Sequence, residues 1–391
     1  MKTEKIRSIL QTLLTATTAA TLVLAVLLQL CISIHAQEAL DASNLFAPVQ
    51  ETSDMSKLSA RSDQGYVAEQ IKPAHAFELG EGIKRDPAEA AQWPLQAANF
   101  GSSKAQTDLG YLYMRGEGVP RDDQQAFKWF QRAASADYAP AQYDLGYMFL
   151  NGLGVQQDVQ EGALWLTRAA RQSFAPAQVN LAVLYVQGIG VTRDQLEALR
   201  WCREAAKQHF APGEFLLGLM YESAVGVSKD LSQAAHWYRQ AAEQGHLQAQ
   251  NNLGVLYEDG TGVPQDREEA KKWYKLAAEQ GNGNSYLNLA HLYAGAPGTE
   301  PDYSLAYFWA LLAQRSQWPM STRPSEKTMQ WLRGRLSLAQ DASIETQVRE
   351  WIGKHPPGAN KDLVLLGMTE DVRRCRKSCT WWWSTPRTKM P

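Results

Sequence analysis

One spacing constrains this chain more than any other feature: tryptophan recurs every 36 residues without an insertion or a deletion. The positions in register are Trp93, Trp129, Trp165, Trp201, Trp237, Trp273 and Trp309. Aspartate, glycine, alanine and aromatic columns keep the same step, through Asp266, Gly262, Ala277 and Tyr257 respectively. A fixed period of this size predicts a stack of similar supersecondary units, in which each unit packs on its neighbours.

The unit from Ala249 to Ala278 predicts a helix, a turn and a second helix. Apolar and small residues follow helical spacing at its start, and Gly260 stands where a helix ends in the left-handed region. Asp266 is placed to cap the second helix, and Glu269 three residues later completes a capping-box pattern. Trp273 shares one face of that helix with alanines, so we expect the tryptophan column to be buried.

The repeating string Ala-Gln-x-x-Leu-Gly-x-x-Tyr-x-x-Gly-x-Gly-Val-x-x-Asp-x-x-x-Ala-x-x-Trp-x-x-x-Ala-Ala resembles the Sel1-like repeat. That family is related to the tetratricopeptide repeat and has a longer internal loop. The resemblance covers about residues 74–315. It implies an all-α fold, an α/α solenoid of about seven 36-residue helix-turn-helix repeats with a C-terminal helical cap. Known members of the family are mostly adaptors and regulators that bind other proteins.

The first 36 residues predict a secretory signal. A basic start precedes a mostly apolar run over residues 22–34, and Ala36 offers a small residue for cleavage. The alternative is an uncleaved membrane anchor over residues 8–34. Residues 37–72 are polar and aperiodic and predict a linker. We therefore expect an exported protein, periplasmic or secreted, or one anchored in the inner membrane if the signal is retained.

Residues 73–315 predict the repeat solenoid, residues 316–356 a helical cap, and residues 357–391 a disordered tail. The tail is basic around Trp381-Trp382-Trp383, a composition that also suits a membrane surface or a nucleic acid. The net charge of −2 gives no global field that favours nucleic acid. We expect no nucleic acid on the solenoid, and membrane contact only through the tail or an uncleaved N-terminus.

The residues that carry chemistry do not form a catalytic pattern. The sequence has no His-Glu-x-x-His and no Gly-Lys-Ser/Thr, so we expect no metal, no cofactor and no enzymatic activity. His209 stands in the column that ends the second helix, where a left-handed histidine is tolerated. A cysteine-rich branch of the Sel1-like family is associated with β-lactam binding or hydrolysis. This chain has no cysteine pair within its repeats and no Ser-x-x-Lys.

Two columns on the first helices predict a partner-binding face. A polar column, with Leu216 as its apolar exception, lies one helical step from a mixed column that starts at Tyr111. The candidate residues are Asp108, Tyr111, Tyr143, Asp144, Tyr147, Asn180, Asn252 and Asn288. The alternative is that the polar residues brace neighbouring helices. The first hypothesis for function is an exported, non-catalytic adaptor for another protein; the second is a cell-envelope factor that recognises peptidoglycan or polysaccharide.

Overall fold

The structure is a computed structural model of the chain, and it describes residues 94–95, 97–295, 300–316 and 323–355. All regular secondary structure in these residues is helical. The described residues divide after Gln208 into two compact parts, which we call the N-terminal unit (94–208) and the C-terminal unit (209–355). The predicted signal, linker and basic tail, and the first repeat up to Trp93, lie outside the described residues.

Each complete repeat contains two helices. In the N-terminal unit the helices are α1 (Ser103–Arg115), α2 (Asp123–Ser135), α3 (Ala139–Asn151), α4 (Val159–Arg171), α5 (Ala175–Gln187) and α6 (Gln195–Lys207). In the C-terminal unit they are α7 (Ala211–Ser223), α8 (Leu231–Glu243), α9 (Leu247–Asp259), α10 (Arg267–Glu279), α11 (Gly283–Tyr293), α12 (Tyr303–Arg315), α13 (Glu326–Arg333) and α14 (Leu338–Lys354).

The packing order repeats within each unit. Helices α1 and α2 pack together, as do α3 with α4 and α5 with α6, and each second helix packs on the next first helix. The C-terminal unit follows the same order through α12, and α13 and α14 then pack against α12. This is the packing of an α/α solenoid, as the period predicted.

The aspartate column caps the second helices as predicted. The Asp266 carboxylate accepts hydrogen bonds from the N–H groups of Glu268 and Glu269, both at 3.0 Å, and its equivalents cap α2, α4, α6 and α8 in the same way. The capping-box prediction missed the partner of the cap's own N–H. That N–H donates to the carbonyl of Tyr257 at 2.9 Å, so the aromatic column closes the turn through its main chain.

Left-handed residues end the helices at the predicted columns. Gly260 has φ 66°, and His209 adopts φ 55° at the end of its second helix, which confirms both predictions. Ala224 holds the Gly260 position of its own repeat at φ 57°, a region that costs a residue with a Cβ about 1–2 kcal/mol. The second loop glycine has a different role: a Cβ on Gly262 would lie 2.1 Å from the carbonyl oxygen of Leu231, so this column permits close approach to the preceding repeat.

The tryptophan column is less buried than expected. Trp129, Trp201 and Trp309 are buried, but Trp165, Trp237 and Trp273 are half-buried. The residue after each tryptophan takes the core position instead. These residues are Phe130, Leu166, Cys202, Tyr238, Tyr274 and Ala310, and each is at most 1% exposed. One residue turns a helix by about 100°, so the neighbouring column faces the partner helix more directly.

The side chain in this core column is matched to a small residue on the first helix. Glycine stands opposite the large side chains: a Cβ on Gly110, Gly218 or Gly254 would lie 2.6 Å from the ring of Phe130, Tyr238 or Tyr274. Where the core residue is small, as at Cys202, alanine holds the glycine position as Ala182. Within each repeat, the small residue on the first helix thus complements the size of the core residue on the second helix.

Candidate partner-binding face

The first-helix face is the side of α1, α3 and α5 in the N-terminal unit, and of α7, α9 and α11 in the C-terminal unit, that carries the predicted polar and mixed columns. The structure places the eight candidate residues in two environments. Half-exposed side chains are Asp108, Tyr111, Tyr147, Asn252 and Asn288. Buried side chains are Tyr143, Asp144 and Asn180, which are 1%, 3% and 5% exposed. Only the half-exposed set can meet a partner without rearrangement.

In the N-terminal unit the buried candidates link first helices of neighbouring repeats. The Tyr111 hydroxyl on α1 lies 2.8 Å from both carboxylate oxygens of Asp144 on α3. One repeat further, the Asn180 side-chain amide on α5 donates to the Tyr143 hydroxyl at 3.1 Å. These bonds brace the stack, which is the role that the sequence left open as the alternative.

Asp144 is the most perturbed acid on this face. Burial is the largest cause and raises the pKa of its carboxyl to about 7, against the opposing effects of the Tyr111 hydrogen bond and the Arg115 charge. Asp108, by contrast, pairs with Lys104 at 3.3 Å on the surface. Both acids, after burial itself, help to raise the pKa of the nearby Tyr138. The N-terminal part of the face therefore combines tyrosine rings with a desolvated carboxyl group.

The C-terminal unit completes a similar polar layer with its own side chains. The side-chain oxygen of Asn251 accepts hydrogen bonds from the Ser285 hydroxyl at 2.9 Å and from the side-chain amide of Asn288 at 3.1 Å. The Asn251 amide in turn lies 3.3 Å from the Asn252 carbonyl oxygen. In the N-terminal unit, the side-chain oxygen of Asn180 is buried and accepts no hydrogen bond from the described residues. Asn180 and Asn288 thus both donate to the column of Tyr143 and Asn251, and the side-chain oxygen of Asn180 has no donor among the described residues.

Comparison with known proteins identifies the repeat. The family model described as Sel1 repeat matches seven consecutive segments, residues 74–101, 103–138, 139–174, 175–210, 211–246, 247–282 and 283–313. The chain belongs to the Sel1 repeat family. The Sel1 boundaries coincide with the observed helix pairs: each match from residue 103 to residue 282 contains one first helix and one second helix.

Solved structures with similarity to this chain include other Sel1 repeat proteins. A Sel1 repeat protein from Oxalobacter formigenes is 32% identical, with a TM-score of 0.59 over 71% of this chain and 79% of that one. A protective antigen of uropathogenic Escherichia coli that displays an SLR fold is 27% identical, with a TM-score of 0.43 over 80% and 74%. An immunity protein from Pseudomonas aeruginosa is 25% identical, with a TM-score of 0.40 over 55% and 81%. No curated protein matches the chain.

The Sel1 repeats contain polar residues that the sequence reasoning missed. Glu258 accepts from the Tyr274 hydroxyl at 2.8 Å and lies 3.2 Å from the His291 imidazole of the next repeat. Tyr238 makes the equivalent bond to Glu222. A sequence signal existed: tyrosine in the core column occurs together with glutamate sixteen residues earlier in these two repeats, whereas Phe130 has no such acid.

Two further titratable groups of the Sel1 repeats are kept neutral by their burial. Burial raises the pKa of the Cys202 thiol and lowers the pKa of His246 to about 3, so both stay neutral at physiological pH. His246 caps α9 by accepting from the N–H of Ala249. Within the described ranges, no group of three or more histidine, cysteine or acidic side chains is placed to hold a metal ion. None of the helices described here is both long and apolar enough to cross a bilayer.

Proposed function

We propose that this Sel1 repeat protein is an exported, non-catalytic scaffold that binds another protein through its first-helix face. One observation carries the proposal: the aspartate caps and the turn glycines recur along the repeats, whereas the mixed column on the first-helix face varies in chemistry. That column reads Tyr111, Tyr147, Val183, Leu219, Val255 and His291. Val183 and Leu219 are buried, and the other four are half-exposed, so the variation at these four positions supports a role outside the stack.

The chemistry of the face supports a protein partner. Tyrosine presents a large, rigid contact surface together with a hydroxyl group, and such residues dominate the binding energy of protein interfaces. Tyr111 and Tyr147 lie one repeat apart and are both half-exposed. The half-exposed Asn252 and Asn288 add amide groups that can bond to the main chain of an extended segment.

Site-specific photo-crosslinking tests the face. Benzoylphenylalanine at position 147 should give discrete adducts in cells that export the protein, because Tyr147 lies on the proposed surface. The same probe at position 164 is the matched control: Leu164 is 44% exposed but lies on the second helix α4. Equal adduct patterns from the two positions, or none from position 147, would contradict binding through the first-helix face.

Export has a separate test. The full chain is expressed in a Gram-negative host, the cells are fractionated, and the N-terminus of the purified protein is read by mass spectrometry. A periplasmic species that begins near Gln37 supports a cleaved signal over residues 1–36. A membrane-bound species that retains Met1 would replace this proposal with an anchor over residues 8–34, and a cytoplasmic species would remove export altogether.

A further inference from the structure

The acceptor-rich region of the first-helix face consists of Tyr111, Asp144, Tyr147 and Asn180 in the N-terminal unit. Its unfilled hydrogen-bond acceptors favour one class of partner side chain. Asp144 is 3% exposed, and its two carboxylate oxygens share the single hydrogen of the Tyr111 hydroxyl. A carboxylate offers about four acceptor sites, so most of its capacity is unfilled. No lysine or arginine of the described residues lies within ion-pair distance of this carboxylate; Arg115 acts on it only as a nearby charge.

The next repeat adds a second unfilled acceptor. Asn180 occupies the same column as Asp144 on the adjacent first helix, and its side chain is 5% exposed. Its side-chain nitrogen donates to the Tyr143 hydroxyl, but its side-chain oxygen is buried and accepts no hydrogen bond from any described residue. A buried polar atom of this kind is rare and calls for an explanation such as a bound partner group.

The polar layer of the C-terminal unit differs, because its buried acceptor has donors. There the side-chain oxygen of Asn251, in the column of Tyr143, accepts from Ser285 and Asn288. The N-terminal unit has no serine at the equivalent positions, which are Ala177 and Ala141, and alanine offers no hydroxyl donor.

We propose that the region formed by Tyr111, Asp144, Tyr147 and Asn180 takes a lysine or arginine side chain of the bound protein segment. This inference rests on the proposed function and adds the chemistry of the partner. Lysine and arginine carry donors and no acceptors, which complements a region with unfilled acceptors. Their charge also complements the Asp144 carboxylate, which has Arg115 as a nearby charge but no ion-pair partner among the described residues.

Two half-exposed tyrosines neighbour Asp144: Tyr111 bonds to it, and Tyr147 lies three residues further along α3. Ring faces attract ammonium and guanidinium groups. Tyr111 already shows this preference, because the Arg115 guanidinium lies 5.6 Å from its ring centroid. A partner's basic side chain would meet Tyr111 and Tyr147 first and reach the Asp144 carboxylate behind them.

A random twelve-residue peptide library displayed on phage tests the inference on the full chain. We expect the selected peptides to be enriched in arginine and lysine, and the enrichment to be lost when Asp144→Asn is used as the bait. Asparagine is the chosen change because Asn180, Asn252 and Asn288 hold the same column in other repeats. Circular dichroism of the variant shows whether its helix content is kept.

A quantitative readout follows from the best selected peptide. Its arginine is replaced by citrulline, which keeps the shape and removes the charge, and both peptides are measured by fluorescence anisotropy. The wild-type chain should bind the arginine form at least about tenfold more tightly, and Asp144→Asn should bring this ratio close to one. Glu204→Gln, which removes one negative charge from the second helix α6, is the matched control and should leave the ratio unchanged.

The outcomes separate this inference from the proposed function. If the selected peptides are not enriched in arginine and lysine, the proposed protein binding stands, but the inference that the region takes a basic side chain is overturned. A ratio that stays unchanged in Asp144→Asn overturns it as well, since the charge preference would then arise elsewhere. Failure to select any peptide counts against peptide binding by the face, and so against both proposals.

Discussion

Gly254→Ala should destabilise the C-terminal unit even though alanine is the better helix former. A Cβ at this position would lie 2.6 Å from Cε1 and 2.7 Å from Cδ1 of Tyr274. The ring is fully buried, and its hydroxyl donates to Glu258 at 2.8 Å, so it cannot retreat without losing contacts or the bond. Overpacking costs about 1–3 kcal/mol, and the gain in helix propensity returns about 1 kcal/mol. We expect a net loss of up to about 2 kcal/mol.

The same column supplies a matched control. Ala182 and Cys202 occupy the positions that correspond to Gly254 and Tyr274 two repeats earlier, and both are fully buried. Ala182→Gly should also destabilise, by about 1 kcal/mol, because it loses helix propensity and leaves a small gap. Glycine-to-alanine at position 254 and alanine-to-glycine at position 182 would then both be destabilising, because each residue matches the size of the core side chain opposite it.

Urea unfolding of the full chain, followed by circular dichroism and tryptophan fluorescence, measures these changes as shifts in midpoint. In a Tyr274→Cys background the steric conflict is gone, so Gly254→Ala should become stabilising by about 0.5–1 kcal/mol. The reasoning is refuted if Gly254→Ala stabilises the wild-type chain, or if its effect has the same sign in both backgrounds.

Three further predictions concern single positions. Gly190→Ala should lower the free energy of unfolding by at least about 3 kcal/mol, because the new Cβ would lie 2.0 Å from the Val159 carbonyl oxygen. Gly281→Ala should lower it by only about 1–2 kcal/mol, because a Cβ there meets nothing within 4 Å. Thermal unfolding of the two variants measures the difference. Ala224→Gly should stabilise by about 0.5–1 kcal/mol by relieving its left-handed backbone, and equal or lower stability would contradict this. Burial raises the Asp144 pKa to about 7, so the wild-type protein should lose stability as the pH rises from about 4 to about 7. Asp144→Asn should lack that loss, and unfolding midpoints measured across this pH range compare the two proteins.

Much of the fold follows from the sequence because the signals are local. The helix ends at Gly260 and His209 need a left-handed residue, and Asp266 caps a helix that begins beside it, so each prediction depends on a few neighbouring residues. The partner of the Asp266 N–H was missed because the carbonyl of Tyr257 approaches it only after the loop has closed.

The candidate site was predicted less completely than the fold. The columns placed Tyr111, Asp144 and Asn180 on the first helices, but could not decide between partner contact and bracing. The bonds that decide bracing join residues 33 or 37 positions apart in the chain, which meet only when neighbouring repeats stack. Whether Asp108 and Tyr147 contact a partner stays a prediction.

The sequence by itself determined the repeat, its turns and its caps, since a strict period repeats the same local requirements along the chain. The tertiary structure decided which side chains of each column are buried and paired. Trp165 is half-buried while Leu166 is fully buried. The side-chain amides of Asn180 and Asn288 find partners in Tyr143 and Asn251, while the side-chain oxygen of Asn180 finds none among the described residues. Those differences depend on distances between adjacent helices, which are set by packing and not by spacing along the chain.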